Sequence, residues 1–422
     1  MDDEDLAMEL KLHLQSVGKF VRAQDLVDYL SIPENQAHLG FTKPISLRTA
    51  QRWMLRLGYR WTKELRGQYA DGHKCGDIVY YRQNIFLLAW NHYQSRMRSW
   101  KHDDISIEDL EARTSETGHR VVVWFHDELT FYANDRRRER WVHMTEGAVP
   151  QPKGEGASLM VVDFVLADYG WLRSRDGKES AQVLFRAGKA RDGYFTNEEI
   201  LAQATKAMDI LEKDYPHEDH VLLFDNATTH LKRADDALSA RKMPKNPSAT
   251  WGVTVTAKDY AGKTVFGGNG KPLKEKIRMV DAQLANGDTQ PLYFPDGHEK
   301  AGHFKGMAQI LVERGYANAP HLPAECREFK CPGGRTDCCC RRLMYSQPDF
   351  VNVASNLEIA CRARGFDVIF LPKYHCELNF IEQCWGYAKC LYRQKIRSSS
   401  EAALERNVIE SLDAVPQSSM RR

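Results

Sequence analysis

Three acidic residues stand where apolar runs give way to polar segments. Val121-Val122-Val123-Trp124-Phe125 leads into His126-Asp127-Glu128, and Val221-Leu222-Leu223-Phe224 leads into Asp225-Asn226-Ala227-Thr228-Thr229-His230. A third run, Phe366-Asp367-Val368-Ile369-Phe370, is followed by Leu371-Pro372-Lys373-Tyr374-His375-Cys376-Glu377-Leu378-Asn379-Phe380-Ile381-Glu382 and a helical pattern. Carboxylates at the ends of two strands and on one helix can converge on metal ions. Two divalent cations about 4 Å apart, clamped by such groups, stabilise charge on the attacking and leaving oxygens of a phosphodiester. Magnesium or manganese suits such an all-oxygen ligand set.

Each acid also has a structural reading. Asp127 is equally placed to be a turn residue, with Glu128 as the functional acid. Asp225-Asn226 fits an Asx turn. Glu382 stands three residues after Asn379, the spacing of a reciprocal helix cap, and Glu377 is a second candidate acid in the same segment. The shared strand–strand–helix pattern favours a common site over three separate structural uses.

The elements that must position these residues begin near Arg120. Val121 to Phe125, Leu129 to Ala133, Leu159 to Ala167, Gln182 to Arg186 and Val221 to Phe224 are strand-like. Thr196 to Tyr215 reads as a helix with Ile200, Ala204, Met208 and Leu211 on one face. The pattern weakens over residues 232–364, where Gly267-Gly268-Asn269-Gly270-Lys271-Pro272 and a run of cysteines suggest a large insertion. It resumes with a strand at 368–371 and a Glu382-bearing helix from Phe380 to about Lys395. Within that helix Trp385 reads as helix-to-sheet core. Residues 401–422 read as a C-terminal tail.

The first 70 residues differ in character. Helices are expected over 4–17 and 22–31, then a loop with Pro33, Gly40 and Pro44, then a helix capped by Ser46 and stopped at Gly58. Its stripe of Leu47, Ala50, Met54 and Leu57 opposes a second stripe of Thr49, Arg52, Trp53 and Arg56. Residues 41–66 hold seven Lys or Arg (Lys43, Arg48, Arg52, Arg56, Arg60, Lys63, Arg66) against one acid, Glu64. One face to pack and one to meet phosphates or base edges is what a helix-turn-helix module needs, with Arg48, Arg52, Arg56 and Arg60 as DNA contacts. A solvated amphipathic helix is the plainer reading. Residues 71–118 read as a helical linker, helical from Tyr80 to Lys101.

The 422 residues can bury sizeable cores, and 42% hydrophobic with 27% charged content is ordinary for a globular protein. The net charge of +2 excludes little. No apolar run approaches the roughly 18 residues of a membrane span, and Met1-Asp2-Asp3-Glu4-Asp5 is unlike a secretory leader. An intracellular protein is expected. Five of the ten cysteines fall between 326 and 340. Cys326, Cys331, Cys338 and Cys340 offer enough thiols for one structural zinc, with His303 or His321 as possible further ligands, and buried reduced thiols as the alternative. Arg136-Arg137-Arg138 and Arg393, Lys395 and Arg397 flank the acidic blocks and could guide a phosphate backbone.

The blocks His126-Asp127-Glu128, Asp225 to His230 and Leu378-Asn379-Phe380-Ile381-Glu382-Gln383-Cys384-Trp385-Gly386 resemble the three acidic motifs of Tc1/mariner-type DDE transposases, particularly transposon-derived proteins abundant in fungal genomes. The resemblance runs from about Arg120 to Lys395. It implies an α/β fold: an RNase H-like mixed sheet flanked by helices, here over residues 119–231 and 365–400 with an all-α helix-turn-helix module before it. It implies Asp127, Asp225 and Glu382 as catalytic ligands of two Mg²⁺ or Mn²⁺ ions, and supporting roles for Asn226 and His230. It implies cleavage of transposon ends and strand transfer into double-stranded target DNA, by a homodimer assembled on DNA, in the nucleus. A transposase-derived DNA-binding protein without catalysis and an RNase H-like nuclease without strand transfer are the alternatives. The chain departs from the family in two ways. Asp225 and Glu382 are 382 − 225 = 157 residues apart, against a few tens in compact members. Phe380 also replaces the usual proline of the third block, which should loosen the start of that helix, and His375-Cys376 replaces Ser-Pro.

Overall fold

Leu10, Leu14, Leu26 and Leu30 recur at helical spacing, and with Ala50 and Leu57 they close into a small separate core. The computed structural model describes residues 4–17, 21–59, 72–100, 108, 119–135, 153–260, 262, 264–332, 335–396, 398 and 400–420. It divides into two units, Met1–Ala70 and Asp71–Arg422. The first unit holds α1 (Glu4–Val17), α2 (Ala23–Tyr29), α3 (Pro33–His38) and α4 (Leu47–Arg56). Helix α3 falls where a loop was expected, because Pro33 at its first position already has helical φ and lacks only an N–H that would go unused there. Ser46 starts α4 by accepting the Thr49 N–H at 3.2 Å. Trp53 turns to the core, 6.1 Å from the Phe41 ring, rather than joining an outward stripe. Arg48, Arg52 and Arg56 are exposed on successive turns, while Arg60 lies outside the described residues.

In the second unit, α5 (Gly76–Tyr81) passes through a π-helical turn, Arg82–Phe86, into α6 (Leu87–Gln94). This segment is not a free linker. Phe86 is buried in the main core, and the Tyr81 hydroxyl donates to Phe370 O at 2.9 Å.

The run from Arg120 is β-branched and aromatic on both faces, which suits a strand covered from two sides. It forms one long strand, β1 (Arg120–Tyr132), where two were expected. There follow β2 (Ser158–Leu166), β3 (Gly170–Trp171), β4 (Val183–Phe185), α7 (Asn197–Asp214) and β5 (Glu218–Phe224). The sheet order is β3-β2-β1-β5, with β4 on β2 and a last strand, residues 367–370, beside β5. The last strand, β5 and β1 are parallel, whereas β2 and β3 are antiparallel additions. This is an RNase H-like mixed α/β sheet flanked by helices.

Between β5 and that strand lie β6 (Val253–Thr256) paired with β7 (Lys274–Ile277), β8 (Ala282–Gln283) paired with β9 (Thr289–Gln290), α8 (Met307–Glu313), α9 (Cys340–Tyr345) and α10 (Pro348–Val351). Despite its weak periodicity this insertion builds its own core, from Leu238 to Phe350. It ends earlier than 364. Helix α11 (Asn356–Arg362) buries Leu357 and Cys361 with α7 against the main sheet. Strand β10 (Asp367–Phe370), α12 (Ile381–Tyr392), α13 (Glu401–Asp413) and α14 (Gln417–Met420) complete the chain.

The expected tail over 401–422 is therefore corrected for its described residues, 401–420. Leu404, Val408, Leu412, Val415 and Met420 are buried with α12 under the sheet, because α13 presents apolar residues at the 4, 8 and 12 positions of one face. Leu412 is fully buried. Leu412→Ala should cost about 2–4 kcal/mol in denaturant unfolding; a change below about 0.5 kcal/mol, the range of surface substitutions, would mean the segment is dispensable.

Candidate functional site

The pleat of β1 sends alternate side chains to opposite layers. Val121, Val123 and Phe125 pack on the layer containing α12 and α13, and Val122 and Trp124 pack on the layer containing α7 and α11. Asp127 continues the first set and Glu128 the second. In the parallel β1–β5 ladder Phe125 pairs with Leu223, so two residues further on Asp127 comes level with Asp225. Phe370 pairs with Phe224, and Leu371 N–H donates to Phe224 O at 2.9 Å, so the chain leaves β10 at the same end of the sheet. It turns at Tyr374, whose φ of 64° is rare outside glycine, and enters α12 with Glu382 in its first turn.

Asp127, Asp225 and Glu382 line one cleft of about 320 Å³ with Asn226, Lys373 and His375. Glu128 and Glu377 do not line it. Glu128 lies on the other face, 3.4 Å from His230 Nε2. Glu377 accepts from His375 Nδ1 at 2.7 Å, while Arg82 donates to His375 Nε2 at 2.9 Å.

The surrounding contacts orient these acids. The buried Trp385 donates its indole N–H to Asp127 Oδ2 at 3.2 Å and stacks on Trp171, ring centroids 5.0 Å apart. Asn379 does not form the reciprocal cap with Glu382. Its side chain reaches across to donate to His126 O at 3.3 Å, and the N-cap residue, Phe380, makes no side-chain cap. Nor does Phe380 loosen the start of the helix. Its φ is −55°, a value proline shares, and its ring meets Phe125 edge-on at 5.5 Å. Asn226 donates to Leu371 O at 3.2 Å, tying the ends of β5 and β10 together. Asp225 Oδ1 accepts the Ala227 N–H at 3.2 Å, the Asx turn foreseen as a structural use, and it also accepts from His230 Nδ1.

Electrostatics separate the acids. Burial and repulsion from Glu382, with smaller repulsion from Glu128 and Asp225, push the Asp127 carboxyl up to about 8 against one favourable backbone N–H. Burial also works against charge on Asp225, but the hydrogen bond and charge of His230 outweigh it and hold that carboxyl low. His230 is pushed up to about 9, since its bonds to Asp225 and Glu128 overcome burial. His126 is driven the other way, to about 4, by burial. Its Nε2 faces Gln203 Oε1 at 3.0 Å, and Gln203 spends its own amide hydrogens on Val162 O and Ala181 O. That leaves His126 neutral with the proton on Nε2.

Asp127, Glu382 and Asp225 offer oxygen donors of the kind a hard divalent cation takes, but their carboxylates do not draw together within 4.8 Å as the ligand atoms of His126, Glu128 and His230 do. Lys373 is exposed at the same cleft, and its place between a strand end and an acidic helix is the sequence signal for it. Arg393 and Lys395 are engaged by Asp135 and Glu410, at 3.0 and 2.5 Å. Arg136, Arg137, Arg138 and Arg397 lie outside the described residues. Among the cysteines, Cys339 rather than Cys340 joins Cys326, Cys331 and Cys338. Cys340 is buried and its thiol donates to Ala319 O at 3.2 Å. Neither His303 nor His321 belongs to that group.

No family model matches the chain, and no curated protein matches it. Among solved structures it is similar to a Mos1 transposase paired-end complex with left transposon end, at 15% identity, TM-score 0.27, over 51% of this chain and 55% of that one. It is also similar to a Mos1 mariner paired-end complex with Mn, at 14% identity, TM-score 0.27, 51% and 55%. A third, the Mos1 paired-end complex with Mg, stands at 14% identity, TM-score 0.27, 52% and 59%. The chain thus spans little more than half the length of these structures.

Because folding raises the Asp127 pKa, the metal-free native state holds a proton that the unfolded chain releases. The penalty from Asp127 alone is therefore absent below about pH 4 and grows as pH rises towards about 8. Asp127→Asn removes this penalty. At pH 8 without divalent metal the variant should melt above wild type by several degrees, on the scale of roughly 2–4 °C per kcal/mol, with a smaller gap at pH 5. An equal gap at both pH values, or none, would refute the assignment of strain to this carboxylate.

Proposed function

We propose that the chain is a DDE-type DNA transposase that cleaves transposon ends and joins them to target DNA, with Asp127, Asp225 and Glu382 holding two Mg²⁺ or Mn²⁺ ions. The observation that carries this reading is the shared cleft: acids from β1, the end of β5 and the start of α12 line one cavity at one end of an RNase H-like sheet. When bound, the ions supply charge stabilisation on the attacking and leaving oxygens of the scissile phosphate. Asp127 gives up its proton to serve as a ligand, and the Trp385 N–H holds its carboxylate in place. His230 keeps Asp225 ionised and fixes its orientation through Nδ1. Lys373 meets the phosphate backbone at the cleft. In the N-terminal unit the exposed Arg48, Arg52 and Arg56 of α4 contact double-stranded DNA, with phosphate contacts for register and base-edge contacts for sequence. The active form is a homodimer assembled on DNA in the nucleus.

The test is a supercoiled plasmid carrying the genomic DNA that flanks this coding sequence, incubated with the protein and Mg²⁺ or Mn²⁺. Wild type should nick it at the element's ends, and Asp225→Ala should lose at least on the order of 100-fold in rate, as removal of one member of a catalytic set does. Equal cleavage by both proteins sinks the proposal. Tight binding of the same DNA by wild type without metal-dependent nicking would replace it with a DNA-binding protein that does not cut.

A further inference from the structure

The insertion carries a second cluster of chemically active side chains, remote in sequence from the three acids. The Sγ atoms of Cys326, Cys331, Cys338 and Cys339 all lie within 4.8 Å of one another, and all four cysteines are free thiols. A tetrahedral S₄ site with Zn–S bonds of about 2.3 Å spaces its sulfurs about 3.8 Å apart. No pair is therefore more than about 1 Å farther apart than in such a site. Two disulfides would instead bring the sulfurs together in two pairs at about 2 Å.

The backbone is arranged to bring these thiols together. After Cys326 the chain makes a 3-10 turn, Arg327–Phe329, in which Glu328 and Phe329 take φ of 54° and 55°. Left-handed backbone at two successive residues with side chains is costly, of order 1–3 kcal/mol each, and persists where surrounding structure holds it. Here it folds the chain back, with Phe329 N–H on Cys326 O at 2.8 Å and Cys331 N–H on Phe329 O at 3.0 Å, so that Cys331 returns to Cys326. Cys339, fully buried, precedes α9, and its Sγ accepts the Arg342 N–H at 3.3 Å. An N–H donated to sulfur is the kind of outer contact that orients a metal-bound thiolate. The next residue, Cys340, points into the insertion core and bonds to Ala319 O instead. Three adjacent cysteines thus have two fates, and the ligand count comes to four.

We propose that Cys326, Cys331, Cys338 and Cys339 bind one structural zinc ion that ties the turn from Cys326 to Cys331 to the start of α9. The four thiols lose their protons to the solvent on binding, and no redox change accompanies the step. All four tetrahedral positions are filled by sulfur, so the site holds structure and leaves no open position for a substrate. Through α9 it secures Leu343 and Met344, which belong to the insertion core. This inference stands apart from the chemistry of the acidic cleft.

The test uses the full-length chain, purified without chelator and assayed for metals by plasma mass spectrometry. About one zinc per chain is expected, unchanged in Asp225→Ala. Cys339→Ala should lose it and Cys340→Ala, equally buried, should keep it. Should Cys339→Ala fail to fold, wild type supplies a second reading: Co²⁺ exchanged for zinc should give the visible and near-ultraviolet bands of a tetrahedral tetrathiolate. Three outcomes overturn the proposal: wild-type protein with neither zinc nor cobalt bands, recovery of the four cysteines as disulfides, or a folded Cys339→Ala that retains full zinc. Stoichiometric iron in place of zinc also overturns it.

Discussion

The two-residue period of β1 is the constraint on which the candidate site depends. Every odd residue from Val121 to Phe125 packs on the α12 side and every even one on the α7 side. The burial of that run therefore decides where the next two acids point. Asp127 joins the cleft with Glu382, and Glu128 goes to the opposite face to meet His230. A slip of one residue in the pairing with β5 would exchange them, and it would also turn Trp124 out of its core. The mainly apolar packing of this run thus sets which carboxylate is presented.

Around that placement the chain works against itself in a consistent way. Asp127 is half-buried beside like charges, which works against its ionised form. Its neighbours are committed to holding the position: Trp385 to the carboxylate, Asn379 to the backbone of His126, Phe380 to the ring of Phe125. Asp225 is treated oppositely, with His230 favouring its charge. Two acids at one end of one sheet are thereby driven apart in protonation, a pattern that marks functional sites more often than structural ones.

The insertion lengthens the path from Asp225 to Glu382 without disturbing its ends. It forms a core of its own, from Leu238 to Phe350, and returns the chain through α11 to the main sheet. Asn226 donating to Leu371 O spans the whole detour with one hydrogen bond. The parallel ladder between β5 and β10 does the rest, since register is set by the apolar residues on both strands and is indifferent to what lies between them.

Much of the sheet and its helices was legible from apolar periodicity, because strands buried on two faces and helices with one apolar stripe leave strong local patterns. The strands at 159–167, 182–186 and 221–224 and the helix at 196–215 differ from the observed elements by a few end residues at most. What failed was non-local. The C-terminal residues looked like a tail because a single amphipathic helix does not say what it packs against, and the insertion looked coreless because its apolar residues are scattered among short elements. Cys339 and Cys340 are indistinguishable as neighbours in sequence, and only the direction of α9 sends one to the sulfur cluster and the other to the core. By itself the sequence determined that acids adjoin two buried apolar runs and begin one helix, although Asp127 lies inside β1 and not past its end. Tertiary structure alone decided that Asp127 rather than Glu128 shares a cleft with Asp225 and Glu382, because pleat parity and parallel register become spatial facts only when strands pair.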